Sequence, residues 1–469
     1  MRKKDVGKAA AMWGLALIMA MAVGGCAKEK EPLTNPGGMK KVSSYNVERE
    51  VRYTNESEKE AVIARVSSEN GLCVIEEHDT YYDVTLDYEK GTPKQVGAAY
   101  AEALEKARPD YVQAMEPYLF ENIRVAFDGR DVNYDSLEKR IMTLEAAIPE
   151  EYREEVESFA RALSKGEEGY AENGKLSYVE VLTMQLIPDG LRPTACSALS
   201  LWGSKTDTGE RMSLRNLEWY IGSADQMTEC HAVTHLKNGE GSMTMISMLG
   251  MLDVITAVND DGVMLGILDV GSKYHSPFVS EGKKCYTFEA RYALEHFDTA
   301  REAGEFLVGE SGDFTWCNNL FLTDEKDAFC CENATAEVAM TGHAKSVLRS
   351  PDSELMEGLS WDCPDSFCIV NSFATKGNQD GFSGEPANVN RWMKYKAYVK
   401  EKDQFSLADL KGILAHEIVD QYEVINVHNY STVHTVIVDY ATGGIHVAFT
   451  KGGCAEDVPR YLDVGNYGR

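Results

Sequence analysis

The hydrophobic period of this chain changes once, near Thr194, and that change constrains the fold more than any other feature. Upstream, at 94–107, 134–147, 149–163 and 177–186, apolar residues recur at the spacing that gathers them on one face of an α-helix. The helix expected after Pro149 opens with Glu150 and Glu151, which favour the positive end of a helix dipole. Earlier still, 51–88 holds short alternating segments such as Tyr82-Asp83-Val84-Thr85-Leu86 that predict strands. Downstream come β-like runs at 243–248, 252–258, 263–270, 320–323, 367–371, 432–439 and 445–449. Helical segments at about 288–297, 299–309, 389–401 and 407–416 interrupt them. Strands and helices in blocks, without strict βαβ alternation, predict an α+β protein of antiparallel sheets covered by helices.

The 469 residues suffice for one large α/β unit plus an accessory segment. A formal net charge of −28 leaves no basic surface to meet phosphates, so no nucleic-acid partner is expected. The eleven cysteines include no C-x-x-C pair, and His231 and His235 lie close to one of them, Cys230. Structural zinc is therefore not expected, and neither is any other metal or cofactor.

The N-terminus reads as an export signal. Arg2, Lys3, Lys4 and Lys8 precede an apolar run at 9–23, which leads into Val23-Gly24-Gly25-Cys26. That ending resembles the bacterial lipobox, which implies a signal peptide at 1–25 and lipidation of Cys26 as the new first residue. The alternative is a transmembrane anchor, for which the run is shorter than the ~20 residues that span a bilayer. A polar stretch at 26–48 follows as a tether, so the protein is expected outside the cytoplasm, held to the membrane through its lipid.

The chemistry-bearing residues cluster after the change of period. Cys196 is followed nineteen residues on by Arg215-Asn216-Leu217-Glu218-Trp219. Two strands joined through a polar turn at 205–210 form a hairpin that returns Arg215 and Glu218 towards the cysteine. Taken alone, a cysteine at a strand start is more often a small buried hydrophobe, and Arg with a nearby Glu is more often a surface ion pair.

The order of these segments resembles the cysteine N-terminal-nucleophile (Ntn) hydrolases: isopenicillin-N acyltransferase-like proteins, choloylglycine hydrolases and acid-ceramidase-like enzymes. Cys196-Ser197, then Thr206-Asp207-Thr208-Gly209, then Arg215-Asn216-Leu217-Glu218-Trp219 is similar to their opening, with Glu218 where Asp is usual. Ala257-Val258-Asn259-Asp260-Asp261-Gly262-Val263, the stretch from Asn319 to Glu332, Val370-Asn371-Ser372-Phe373 and Asn388-Val389-Asn390-Arg391 continue the resemblance in order. Ser372 stands where the family has His. The run from Ile148 to Glu155 is similar to the helix that precedes the nucleophile in the acyltransferase branch.

The resemblance implies a four-layer αββα sandwich at 196–469, preceded by a mainly helical pro-segment at 49–195. It also implies an amide hydrolase or acyltransferase working through a thioester at Cys196, after self-cleavage between Ala195 and Cys196. A thiol needs a base to attack an amide, and a freed α-amino group, with a reference pKa of about 7.7 to 8.0, is suited to the task. By the family pattern Arg215 favours the thiolate, and Glu218 holds the α-amino group. Asn371, through its side chain, and Asn259, through its backbone N–H, donate to the oxyanion, and Arg391 orients the nucleophile end of the site through Glu218. The substrate expected is a small non-peptide linear amide.

Other readings stay open on the residues alone. Asn259 heads an Asn-Asp-Asp-Gly turn, Asn371 reads as a strand-end cap and Arg391 as a surface ion pair. Ser197 and Thr194 are rival nucleophiles. A surface solute-binding or adhesion lipoprotein and a cysteine protease with His434 or His428 as base are rival functions, and the sequence leaves the oligomeric state open.

Overall fold

The computed structural model describes residues 52–127, 129–166, 168–191, 194–270, 280–378, 386–414, 427–428, 431–451 and 458–468. The expected signal peptide, the tether and Cys26 lie outside the described residues, as does the side chain of Ala195.

The chain begins with an antiparallel meander of β1 (Ala64–Ser67), β2 (Cys73–Glu77) and β3 (Tyr82–Asp87). Five helices follow: α1 (Pro93–Ala107), α2 (Tyr111–Ala126), α3 (Tyr134–Glu145), α4 (Glu150–Leu163) and α5 (Tyr178–Gln185). Two start at reciprocal caps, Thr92 with Gln95 for α1 and Ser177 with Glu180 for α5. Helix α2 has no counterpart among the expected helices because Pro117, which lacks a backbone donor, interrupts its pattern. Buried Met115, Leu119, Phe120 and Ile123 hold it in place.

Next come β4 (Thr194–Leu201), β5 (Met212–Trp219), β6 (His231–Lys237), β7 (Met243–Met248), β8 (Thr256–Asn259) and β9 (Met264–Asp269). Helices α6 (Tyr286–His296) and α7 (Ala300–Glu310) lead to β10 (Asn318–Thr323) and β11 (Ala328–Asn333). Then follow α8 (Ala336–Ala339), β12 (Val347–Arg349), β13 (Ser366–Val370), α9 (Pro386–Glu401) and α10 (Leu407–Gly412). The chain ends with β14 (Thr432–Asp439), β15 (Gly444–Phe449) and β16 (Tyr461–Asn466).

These strands build two sheets, one in the order β1-β2-β3-β6-β7-β8-β9-β10-β11-β12 and one in the order β13-β4-β5-β14-β15-β16. Strand alternation explains how they stack. Register pairs Cys196 with Leu217 and Leu217 with His434, while Leu199 pairs with Leu214 and Leu214 with Ile437, so the two rows face opposite ways. The face with Cys196, Ala198, Leu217, Val436 and Val438 packs towards the ten-stranded sheet. The opposite face, with Leu199, Leu214 and Ile437, packs on Trp392, Tyr395 and Val399 of α9. Helices α6 and α7 bury Phe288, Leu294, Ala303 and Leu307 with the larger sheet. The result is an α+β sandwich of four layers, helix, sheet, sheet and helix.

The strands expected within 51–88 join the large sheet: β1, β2 and β3 extend it, and β3 runs parallel to β6 from Tyr82↔Ala232 to Asp87↔Lys237. Helices α1 and α4 meet closely at Gly97, where a Cβ would lie 2.2 Å from the Glu155 carbonyl oxygen. From α4, buried Glu155 pairs with Arg291 of α6 at 2.8 Å, and Tyr152 donates to Glu295 at 2.9 Å. Asp189 caps α6, accepting from the Tyr286 N–H at 2.7 Å and the Thr287 hydroxyl at 2.6 Å. Among the described residues no helix is long and apolar enough to cross a membrane.

Candidate active site

Strands β4 and β5 pair so that Ala198 faces Arg215 and Ala195 faces Glu218, which flanks Cys196 with both charged residues. Cys196 points between the two sheets and is fully buried. Arg215 enters the same layer and donates from Nη2 to the Cys196 sulfur at 3.2 Å and to the Ile267 carbonyl of β9 at 2.7 Å. Burial pushes the Cys196 thiol up, the Arg215 charge opposes that, and the Glu218 carboxylate adds to it. In the continuous chain this sulfur is a protonated thiol beside a cation.

The backbone of Cys196 is held at both ends. Its N–H donates to Asn371 Oδ1 at 2.6 Å, and its carbonyl accepts from Arg391 Nη1 at 2.8 Å. Arg391 comes from α9, and the same Nη1 reaches Glu218 Oε2 at 2.7 Å. Its Nη2 donates to Asn371 Oδ1 at 2.9 Å and to Asn388 Oδ1 at 2.8 Å. A guanidinium only donates, so this contact fixes which way the Asn371 amide points. Nδ2 of Asn371 consequently faces β9 and donates to the Asp269 carbonyl at 2.6 Å.

The turn that carries Asn371 is anchored by groups from two other strands. Asn319 of β10 donates to the carbonyls of Val370 and Ser372, both at 3.0 Å. Buried Glu332 of β11 accepts from the Ala374 N–H at 2.8 Å and from Asn378 at 2.9 Å, and pairs with Arg349 at 2.9 Å. Asn388 donates to the Asn371 carbonyl at 3.1 Å and to Ser372 Oγ at 2.9 Å. The sequence segments quoted above contain Asn319, Glu332 and Asn388, but no role was legible for them. The three-residue step from Asn388 to Arg391, one turn of helix, is the signal that both reach one place.

Cys196, Arg215, Glu218, Asn371 and Arg391 thus form one connected cluster, and Asn259 is not part of it. Asn259 ends β8, where its N–H donates to the Val263 carbonyl at 3.1 Å and its Oδ1 accepts from the Val263 N–H at 2.8 Å. Its Nδ2 ties the turn to the end of α6 through Leu294 and Phe297. The turn reading describes Asn259, and its N–H is engaged elsewhere than at an oxyanion. Glu218 meets Arg391 directly, while the hydrogen bond drawn from the Cys196 N–H goes to Asn371.

The rival groups are placed differently. Ser197 Oγ lies 3.0 Å from the Tyr395 hydroxyl, on the opposite face of the sheet from the thiol. His434 Nε2 lies 3.4 Å from Arg215 Nη1 and 3.3 Å from Thr256 Oγ1, and burial, the Arg215 charge and His231 hold it well below the usual imidazole range. It is a neutral acceptor behind the guanidinium. His428 lines a cavity of about 300 Å³ with Asp79, Thr435, Phe449, Lys451 and Arg460. Phe449 of its lining stands in one register row with His434, Leu217 and Cys196, and Cys196 does not line it.

No family model and no curated protein matches the sequence. Solved structures do resemble it in shape. A Caenorhabditis elegans N-acylethanolamine-hydrolyzing acid amidase ortholog aligns at 12% identity and a TM-score of 0.37, covering 52% of this chain and 92% of its own. Two variants of the conjugated bile acid hydrolase from Clostridium perfringens align at 12% and 11% identity with TM-scores of 0.34 and 0.35, covering 58% of this chain and 94% of theirs. At these scores the likeness assigns no activity to this chain.

Proposed function

We propose that this chain is the precursor of a cysteine amidohydrolase or acyltransferase of the Ntn kind, which cuts itself between Ala195 and Cys196 and then acts on a non-peptide linear amide. The observation that supports it is the triple hold on one residue: Arg215 on the sulfur, Asn371 on the nitrogen and Arg391 on the carbonyl of Cys196.

Self-cleavage begins when the sulfur attacks the Ala195 carbonyl carbon. The Ala195–Cys196 C–N bond breaks, the thiol proton passes to the departing nitrogen, and a thioester joins Ala195 to the sulfur. Water then hydrolyses that thioester, leaving a carboxylate on Ala195, a free thiol and a free α-amino group on Cys196. The new amine has a lone pair that the peptide nitrogen lacked, so it can take the thiol proton in each later turnover. Asn371 Oδ1, already bonded to that nitrogen, orients the amine, and Arg391 with Glu218 keeps the residue from swinging away. Arg215 favours the thiolate and leaves the deprotonated sulfur as the nearest anion. Substrate acyl transfer to sulfur, followed by hydrolysis or by capture with a second amine, completes the cycle. The export signal adds a location: lipid-anchored through Cys26, the enzyme meets its amide outside the cytoplasm.

Denaturing gels with N-terminal sequencing of wild type and Cys196→Ala test this reading. Wild type is expected as two fragments, the larger starting at Cys196, and Cys196→Ala as one band. An intact wild-type chain would overturn the proposal and favour the binding-lipoprotein reading.

A further inference from the structure

We infer that Gly266 is a positioning residue for Arg215: the step in β9 that carries no side chain is the lane in which the arginine stem lies, and it sets the guanidinium against the Cys196 sulfur. The inference rests on Cys196 being the nucleophile, as proposed above.

Gly266 sits in the middle of a buried central strand, paired with Thr256 of β8 on one side and Phe321 of β10 on the other. Glycine weakens a strand interior, so its presence there calls for a close approach by something else. That neighbour is Arg215. A Cβ built on Gly266 would lie 2.8 Å from Arg215 Cγ, 3.2 Å from Nε and 3.3 Å from Cδ. The nearest of these atoms is at the base of the side chain, where the β5 backbone dictates its position, so the arginine cannot yield by moving only its tip. The backbone at Gly266 is ordinary strand, and an alanine there meets the arginine rather than a forbidden conformation.

The rest of the lane is built from the same strand and its neighbours. The next residue, Ile267, offers its carbonyl to Nη2 at 2.7 Å, and Nη2 is the nitrogen that faces the sulfur. His434, itself beside Thr256, stands 3.4 Å from Nη1. Nε, which lies over Gly266, finds no acceptor among the described residues. The guanidinium is therefore set by the acceptors at its head and by the space under its stem. Filling that space displaces the head, and the sulfur loses its neighbouring charge.

The test is a double-mutant cycle of Gly266→Ala with Arg215→Ala in the full chain, read by thermal unfolding and by the pH profile of Cys196 alkylation, resolved by peptide mass mapping. Gly266→Ala is expected to lower the melting temperature in the wild-type background and to have little effect once Arg215→Ala has emptied the lane. Its alkylation midpoint should rise by about one pH unit or more, towards that of Arg215→Ala, as expected when an opposite charge within hydrogen-bond range is withdrawn. If Gly266→Ala fails to fold, the proposal requires the double variant to fold again. Additive melting shifts, a double variant that also fails to fold, or an unmoved alkylation midpoint in Gly266→Ala would each overturn it. None of these readouts needs self-cleavage, so an uncut wild-type chain would sink the proposed function while the cycle still decides the role of Gly266.

Discussion

Arg291 and Arg215 are both buried in this protein, yet their surroundings are opposite. Arg291 of α6 sits between two carboxylates, Glu155 at 2.8 Å and Glu295 at 2.9 Å, and lies over the rings of Tyr88 and Tyr152. Burial would discharge it, and Glu155, Tyr88 and Glu295 overcome that and raise its pKa well above the ordinary value. Arg215 has a thiol, a carbonyl and a neutral imidazole around it, and burial lowers its pKa. A buried cation already matched by carboxylates joins pieces of structure. On the proposed function, one whose nearest potential anion is a sulfur serves a charge that arises during the reaction.

The same substitution at both places should give opposite phenotypes. Arg291→Met leaves Glu155 and Glu295 buried without their partner, and denaturant unfolding should show a loss of about 3–5 kcal/mol, the usual cost of stripping one side from a buried pair. An unchanged unfolding midpoint would remove the distinction between the two arginines. Arg215→Met discards a charge whose burial Cys196 and Glu218 offset only in part, so its midpoint should stay close to that of wild type. Its self-cleavage, followed on gels, should slow by roughly 100-fold, the scale of losing one preorganised electrostatic partner. A comparable loss of stability would place Arg215 with the structural ion pairs.

A smaller effect sharpens the picture on the Arg291 side. Burial pushes the Asp189 carboxyl up to about 7, against the hydrogen bonds it accepts from Thr287 and the start of α6. The buried Asp253 carboxyl beside it is likewise raised by burial and by Asp189, and Thr287 and Arg291 moderate that. A carboxyl raised on folding binds its proton more tightly in the native state, so the stability that Asp189 contributes should be lost as pH rises from about 4 to about 7. Asp189→Asn should flatten that slope in melting curves taken across this range. An equally steep slope in the variant would assign the dependence to other groups.

What the sequence disclosed follows from how local each signal is. The hairpin that flanks Cys196 with Arg215 and Glu218 is a short-range device, and its alternation and turn are visible in about two dozen residues. Asn371 and Arg391 stand 175 and 195 residues beyond Cys196, and only their motif resemblance points to them. Asn259 illustrates the cost of a motif that doubles as a turn, because its side chain closes the β8–β9 connection. Helix α2 was hidden by Pro117, and the partnership of β3 with β6 by a separation of about 150 residues, across which no periodicity can register. Gly266 carried no local signal, since its meaning lies in the arginine that crosses it from the other sheet.

The parallel seam between β3 and β6 has a consequence for how such a molecule can be handled. Along that line six residues of one strand satisfy the main chain of the other. A polypeptide started at Cys196 would leave His231–Lys237 as a bare rim of unpaired amides and carbonyls, a template for joining any extended chain nearby. The portion ahead of Ala195 therefore also serves as a cover for that rim, and recombinant production of the remainder by itself invites edge-to-edge aggregation.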